Sequence, residues 1–77
     1  MYPQIILSSN DRFFMIKQGF EDYYHSLPNS GGLVFRDFQI VRLQHFYGES
    51  EKFLRVESLD GYYSIGITDN FVQEVFI

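Results

Sequence analysis

The 77 residues carry six Lys or Arg against ten Asp or Glu, a net charge of −4, with no cysteine and 19% aromatic side chains. A chain of this length makes one domain, spanning 1–77, and the missing cysteines exclude a disulfide framework, a thiolate zinc site and a cysteine nucleophile. Six scattered basic residues argue against direct nucleic-acid binding, which needs Lys and Arg clustered on one face.

No stretch approaches about 18 consecutive apolar residues, so no membrane span is expected. The opening "MYPQIILSSNDR" lacks the basic start of a signal peptide, and a cytoplasmic protein is the default. Charge is unevenly placed. Acidic and basic residues cancel over 1–48, whereas 49–77 hold Glu49, Glu51, Glu57, Asp60, Asp69 and Glu74 against Lys52 and Arg55.

In chain order, Tyr2 to Ser8 reads as a short strand. "SSND" then offers helix N-caps, and Phe13, Ile16, Phe20, Tyr23, Tyr24 and Leu27 recur at helical spacing. Gly19 weakens that helix, and the rival is a hairpin turning at "SSND" into a strand "RFFMIK". "LPNSGG" at 27–32 is the clearest breaker cluster. Residues 33–46 mix parities, so a bulge or break is expected near Arg36-Asp37.

Beyond it the pattern alternates. Asp60-Gly61 signals a type I′ hairpin, pairing Leu59 with Tyr62, Val56 with Ile65 and Leu54 with Ile67. A loop "GESE" at 48–51 would pair Tyr47 with Lys52, Leu43 with Val56 and His45 with Leu54, and set Arg42 opposite Glu57. The tail "DNFVQEVFI" is open to two readings, a strand with Phe71, Val75 and Ile77 on one face or a helix with Phe71, Val72, Val75 and Phe76 on one face; Val and Phe favour the strand, packed to its end. The expected architecture is α+β: one N-terminal helix packed on a curled antiparallel sheet of about four to six strands. Its order is β-α-β-β-β-β, with a meander at 38–68 and closure into a small barrel as an option.

Catalytic motifs are missing. "SGG" is no phosphate loop, and Ser64 lacks the first glycine of a nucleophile elbow. "EDYYHS" places Glu21 and His25 on one helix face, and His45 could complete a metal site, but a solvated Glu21–His25 pair at a helix end is the simpler reading. No enzyme activity, cofactor or metal is expected. Two functional expectations follow. The first is a small acidic protein-interaction module that blocks or regulates a partner with a basic surface. A phage-type inhibitor of a host nucleic-acid-handling or defence complex would work this way. Glu49, Glu51, Glu57, Asp60, Tyr62 and Asp69 would meet that partner. The second is an oligomeric protein that binds or sequesters a nucleotide-like ligand through Arg42, Arg55, Phe46, Phe53 and Ser64. A homodimer through a sheet edge is compatible with both.

Overall fold

A computed structural model describes residues 11–28 and 30–76; the strand expected over Tyr2 to Ser8 lies outside them. The described chain forms strand β1 (Phe13–Ile16), helix α1 (Phe20–Ser26) and strands β2 (Ile40–Phe46), β3 (Phe53–Ser58) and β4 (Ser64–Thr68). A 3₁₀ turn (Asp69–Phe71) and strand β5 (Val72–Val75) follow. All pairings are antiparallel, in the spatial order β4-β3-β2-β1-β5. This is the expected α+β arrangement of one helix on a curled sheet, and it is open rather than closed into a barrel.

The curl has a simple cause. The outermost strands, β4 and β5, are consecutive in the chain and joined only by the turn Asp69–Phe71. A flat sheet would set its first and fifth strands about 19 Å apart. A 3₁₀ turn rises only about 2 Å per residue, so the sheet must bend to bring the two edges together at that end. The concave face holds the core: Ile16, Val41, Leu54 and Val56 are fully buried, and Phe14, Phe20, Phe35, Ile67 and Val72 complete the cluster. Each such side chain stabilises the fold by about 1.5–3 kcal/mol through burial.

The helix is shorter than its apolar stripe. Phe13 to Ile16 form a strand paired on one side with β2 and on the other with β5. A strand hidden from water reads as a continuous apolar run, which periodicity cannot separate from a helical stripe. The rival strand reading of "RFFMIK" is the one the structure adopts. Gly19, at φ 100°, then turns the chain into α1, a conformation in which glycine carries no Cβ penalty.

Asp37 caps the seven-residue helix from across the fold. Its carboxylate accepts the N–H of Gly19 at 2.9 Å and of Glu21 at 3.0 Å. Glu21 returns the exchange, accepting the Asp37 backbone N–H at 2.9 Å and a guanidinium N–H of Arg36 at 3.1 Å. This is the logic of a capping box, with one half supplied by a distant loop. Glu21 therefore pairs with Arg36 rather than His25. The expected break near Arg36-Asp37 is present as a turn, with Phe38 at φ 70°.

The meander register matches expectation over most of its length: Val56 pairs with Ile65, Leu54 with Ile67, Leu43 with Val56 and Arg42 with Glu57. Arg42 approaches Glu57 at 3.5 Å. The turn type differs, since Ser58 N–H donates to Tyr63 and Gly61 N–H to Ser58. Gly61 alone takes positive φ there, so the tip is a type I turn followed by a left-handed glycine.

A bulge between Leu43 and His45 shifts the rest of β2 by one residue. A one-residue slip exchanges faces: His45 moves opposite Arg55, Phe46 moves opposite Leu54, and Tyr47 N–H meets Phe53 rather than Lys52. The tail departs similarly. Val72 is its buried residue, Phe71 sits in the 3₁₀ turn, and Phe76 is 92% exposed rather than packed; Ile77 lies outside the described residues.

Arg12 ties β1 to β5. Its guanidinium donates twice to Glu74, each at 2.8 Å, and sits near the rings of Phe14 and Phe46 at 5.7 and 5.3 Å. The hydrogen bond from Arg12 holds the Glu74 carboxyl below its ordinary value.

Two outcomes are expected. Asp37→Ala leaves two helix N–H groups without an acceptor and costs about 1–2 kcal/mol, a fall in melting temperature of several degrees by circular dichroism; an unchanged melting curve would show the cap to be idle. Because the folded pKa of Glu74 is depressed, its contribution is complete above the ordinary value of 4.5 and fades as pH falls through the folded value. The stability gap between wild type and Glu74→Gln should therefore narrow in urea titrations from about pH 6 to about pH 3.

Candidate functional site

The cap on α1 and the turn before β5 together shape a groove. Phe20 anchors the helix in the core at 3% exposure, its ring 5.6 Å from that of Phe71. The Tyr23 ring also packs against Phe71, tilted, with centroids 4.7 Å apart. Leu27 follows at the helix C-terminus, where its N–H donates to Tyr24. These side chains form one wall.

The opposite wall comes from the sheet. Gly66 in β4 has no side chain, and a Cβ there would meet only the rings of Phe53 and Tyr47, both at 3.9 Å. Phe53 faces this gap, and with Thr68 and Ile67 it completes a cavity of about 200 Å³. The lining is aromatic and aliphatic. Its walls are unusually open for apolar side chains: Tyr23, Leu27 and Phe53 are 46%, 39% and 49% exposed.

The groove runs beside β4, the outermost strand of the described sheet. Ser58 pairs with Tyr63, and the Asp69 N–H reaches Lys52. Ladder alternation then directs the N–H and C=O groups of residues 63, 65, 67 and 69 toward β3. Those of Ser64, Gly66 and Thr68 point away from the sheet, and no strand lies beyond them among the described residues. Sheet edges are commonly protected by charge, proline or a bulge. The segment Ser64–Thr68, "SIGIT", has none of these.

On the outer face of the sheet lies a second, polar cluster. The Arg55 guanidinium donates to the Tyr47 hydroxyl at 3.3 Å and the Ser64 hydroxyl at 3.0 Å, and Tyr47 lies edge-on between His45 and Phe53.

The expected site residues divide among these places. Phe53, Arg55 and Ser64 come together on the outer face. Arg42 does not join them. It lies between Asp11 at 3.6 Å and Glu57 at 3.5 Å, and the bulge turns Phe46 onto the core side. Glu49 and Glu51 occupy the exposed β2–β3 loop, Glu51 at 3.9 Å from Arg12, and exposed Asp69 opens the 3₁₀ turn at the same end. Asp60 and Tyr62 sit at the opposite end, on the β3–β4 tip. The acidic residues therefore form no single patch. Asp60 organises its own turn, accepting the Ser58 hydroxyl at 2.6 Å and the Tyr62 N–H at 3.0 Å, which hold its pKa down.

Tyr23, Leu27, Tyr47, Tyr63 and Phe71 were not among the expected site residues. The available signal was the doublet Tyr23-Tyr24, since a short helix on a small sheet buries one of two adjacent tyrosines more readily than both. No group of three or more His, Asp or Glu is placed to hold a metal ion among the described residues, and no helix there is long and apolar enough to cross a membrane.

No family model, curated protein or solved structure matches this chain.

The two aromatics of the groove should differ in their effect on stability. Phe71→Ala removes contacts to both Phe20 and Tyr23 and should cost about 2–3 kcal/mol, whereas the half-exposed Phe53 should tolerate alanine within about 0.5–1 kcal/mol. Equal losses in chemical denaturation would mean that Phe53 is part of the core rather than a surface wall.

Proposed function

We propose that this chain is a protein-interaction module that takes an extended segment of a partner protein as an added strand on β4, and that it acts by occupying that segment. The observation that carries this reading is the coincidence of an uncharged strand edge, unpaired among the described residues, with an open aromatic groove alongside it. Main-chain hydrogen bonds to Ser64, Gly66 and Thr68 would supply affinity, and a side chain seated among Tyr23, Leu27 and Phe53 would supply selectivity. The acidic residues at 49, 51 and 69 then serve as a rim that speeds encounter with a basic partner and imposes salt dependence. A blocking or inhibitory role fits a module of this size, whose main asset is one adhesive edge.

The nucleotide-like ligand has less support. Of its expected residues Phe46 is turned to the core side, Arg42 shares the face of Arg55, Ser64 and Phe53 but is held between Asp11 and Glu57, and Arg55 already donates to Tyr47 and Ser64.

Panning a random peptide library against the purified chain tests the proposal. Selected peptides should be extended, with an apolar or aromatic anchor, and binding should fall about tenfold or more in Tyr23→Ala and Phe53→Ala. Tyr62→Ala, at the far tip, should bind such short peptides as wild type does. Failure of the monomeric chain to select any peptide, or binding indifferent to the groove substitutions, would remove the basis for strand addition.

A further inference from the structure

The edge of β4 is complementary to itself. Ser64, Gly66 and Thr68 direct their backbone groups outward, as the ladder alternation requires. An antiparallel copy placed about a twofold axis through Gly66 sets Ser64 opposite the second copy's Thr68, and Gly66 opposite its own equivalent. Both are hydrogen-bonded pairs in that register, giving about six main-chain hydrogen bonds. Ile65 then lies opposite the second copy's Ile67 on the concave side. The strand carries no charge, so the pairing opposes no like charges even though the chain carries −4.

The same operation fills the groove. Tyr63 closes the β3–β4 hairpin through its carbonyl and shares the parity of Ile65 and Ile67, so it projects to the side on which α1 lies. It is 52% exposed. In the paired arrangement the second copy's Tyr63 falls opposite Asp69, beside Thr68 and Phe71, at the mouth of the cavity that Tyr23 and Leu27 enclose. Each copy thus offers an open aromatic groove at one end of β4 and an exposed tyrosine at the other.

The area is adequate. Tyr23, Leu27, Phe53, Tyr62 and Tyr63 are between 39% and 75% exposed, leaving roughly 500 Å² of side-chain surface per copy. With the strand edge added, this approaches the roughly 800 Å² per partner of a standard interface.

We infer that the partner seated on this edge is a second copy of the chain, paired β4 to β4 about Gly66, with Tyr63 of each copy in the aromatic groove of the other. The inference rests on the strand-addition reading and names the occupant. Self-pairing then masks the edge, and any other segment must compete with it.

Sedimentation of the purified full chain, from about 5 to about 500 µM, decides the matter. Wild type should form a concentration-dependent dimer. A side chain at Gly66 has room, its nearest neighbours lying at 3.9 Å, yet on the twofold axis it faces its own copy. Gly66→Lys and Gly66→Glu should therefore each dimerise at least about tenfold more weakly, because like charges directly opposite repel, while an equimolar mixture of the two should recover the dimer. Tyr63→Ala, which leaves the backbone pairing in place, should weaken the dimer about tenfold and keeps the test open if the Gly66 variants fold poorly. A wild type that stays monomeric, an assembly larger than two, variants that dimerise unaltered, or a mixture that fails to recover would each overturn the inference. A monomer that still selects groove-dependent peptides removes only the second copy as occupant, whereas a monomer that selects none removes strand addition as well.

Discussion

The exchange of hydrogen bonds between Asp37 and Glu21 is the interaction on which the rest of the arrangement depends. A seven-residue helix has little stability of its own, because nucleation fixes several residues for a single hydrogen bond. Its first residues have no local side-chain cap. The loop supplies one, and in doing so fixes where α1 sits and which way it points. Phe20 enters the core as a result, and Tyr23 and Leu27 are carried to the rim. The cap is a cross-link between an otherwise irregular loop and an otherwise marginal helix, and each is ordered by the other.

A second constraint comes from the short link between the two outermost strands. By drawing β4 and β5 together at one end, the turn Asp69–Phe71 curls the sheet around its core and places Phe71 against both Phe20 and Tyr23. The same link leaves the outer edge of β4 without a partner strand among the described residues, since it brings the edges close without aligning them as a ladder. Groove and open edge are thus two consequences of one connection. Stability lies in the buried cluster that runs from Phe14 and Ile16 through Phe20, Phe35, Val41, Leu54 and Val56 to Ile67 and Val72, while the exposed Phe53 and Tyr47 around Gly66 contribute little to the fold. That division is what makes the surface free to bind.

Parts of this were legible in the residues. The hairpin register around Asp60-Gly61 was readable because alternation in both flanking runs permits only one apolar face, and the pairs Val56–Ile65 and Leu54–Ile67 follow from it. The pairing of Arg42 with Glu57 followed from the same logic. The bulge after Leu43 was not readable. Nothing in "RLQHF" distinguishes a regular strand from a bulged one, and the shift moved His45 outward and Phe46 inward. Of the expected ligand residues Arg42, Arg55, Phe46, Phe53 and Ser64, the bulge separates Phe46 from the rest, and no local pattern distinguishes a groove wall of Tyr23, Leu27 and Phe71 from an ordinary core stripe.

What the sequence by itself determined was the class of the fold and the local pairings, because period-2 patterning and turn residues act over a few neighbours and carry their own register. It also determined that the chain is acidic, lacks cysteine and is rich in aromatic side chains. Tertiary structure alone decided that Phe13 to Ile16 would be a central strand rather than the start of a helix, since that choice depends on β2 and β5 pairing on either side of it. It alone decided that Asp37 would cap a helix sixteen or more residues away, and that Tyr23 and Phe53, distant in the chain, would face one cavity. Such outcomes rest on contacts between segments far apart in sequence, whose geometry no local pattern encodes.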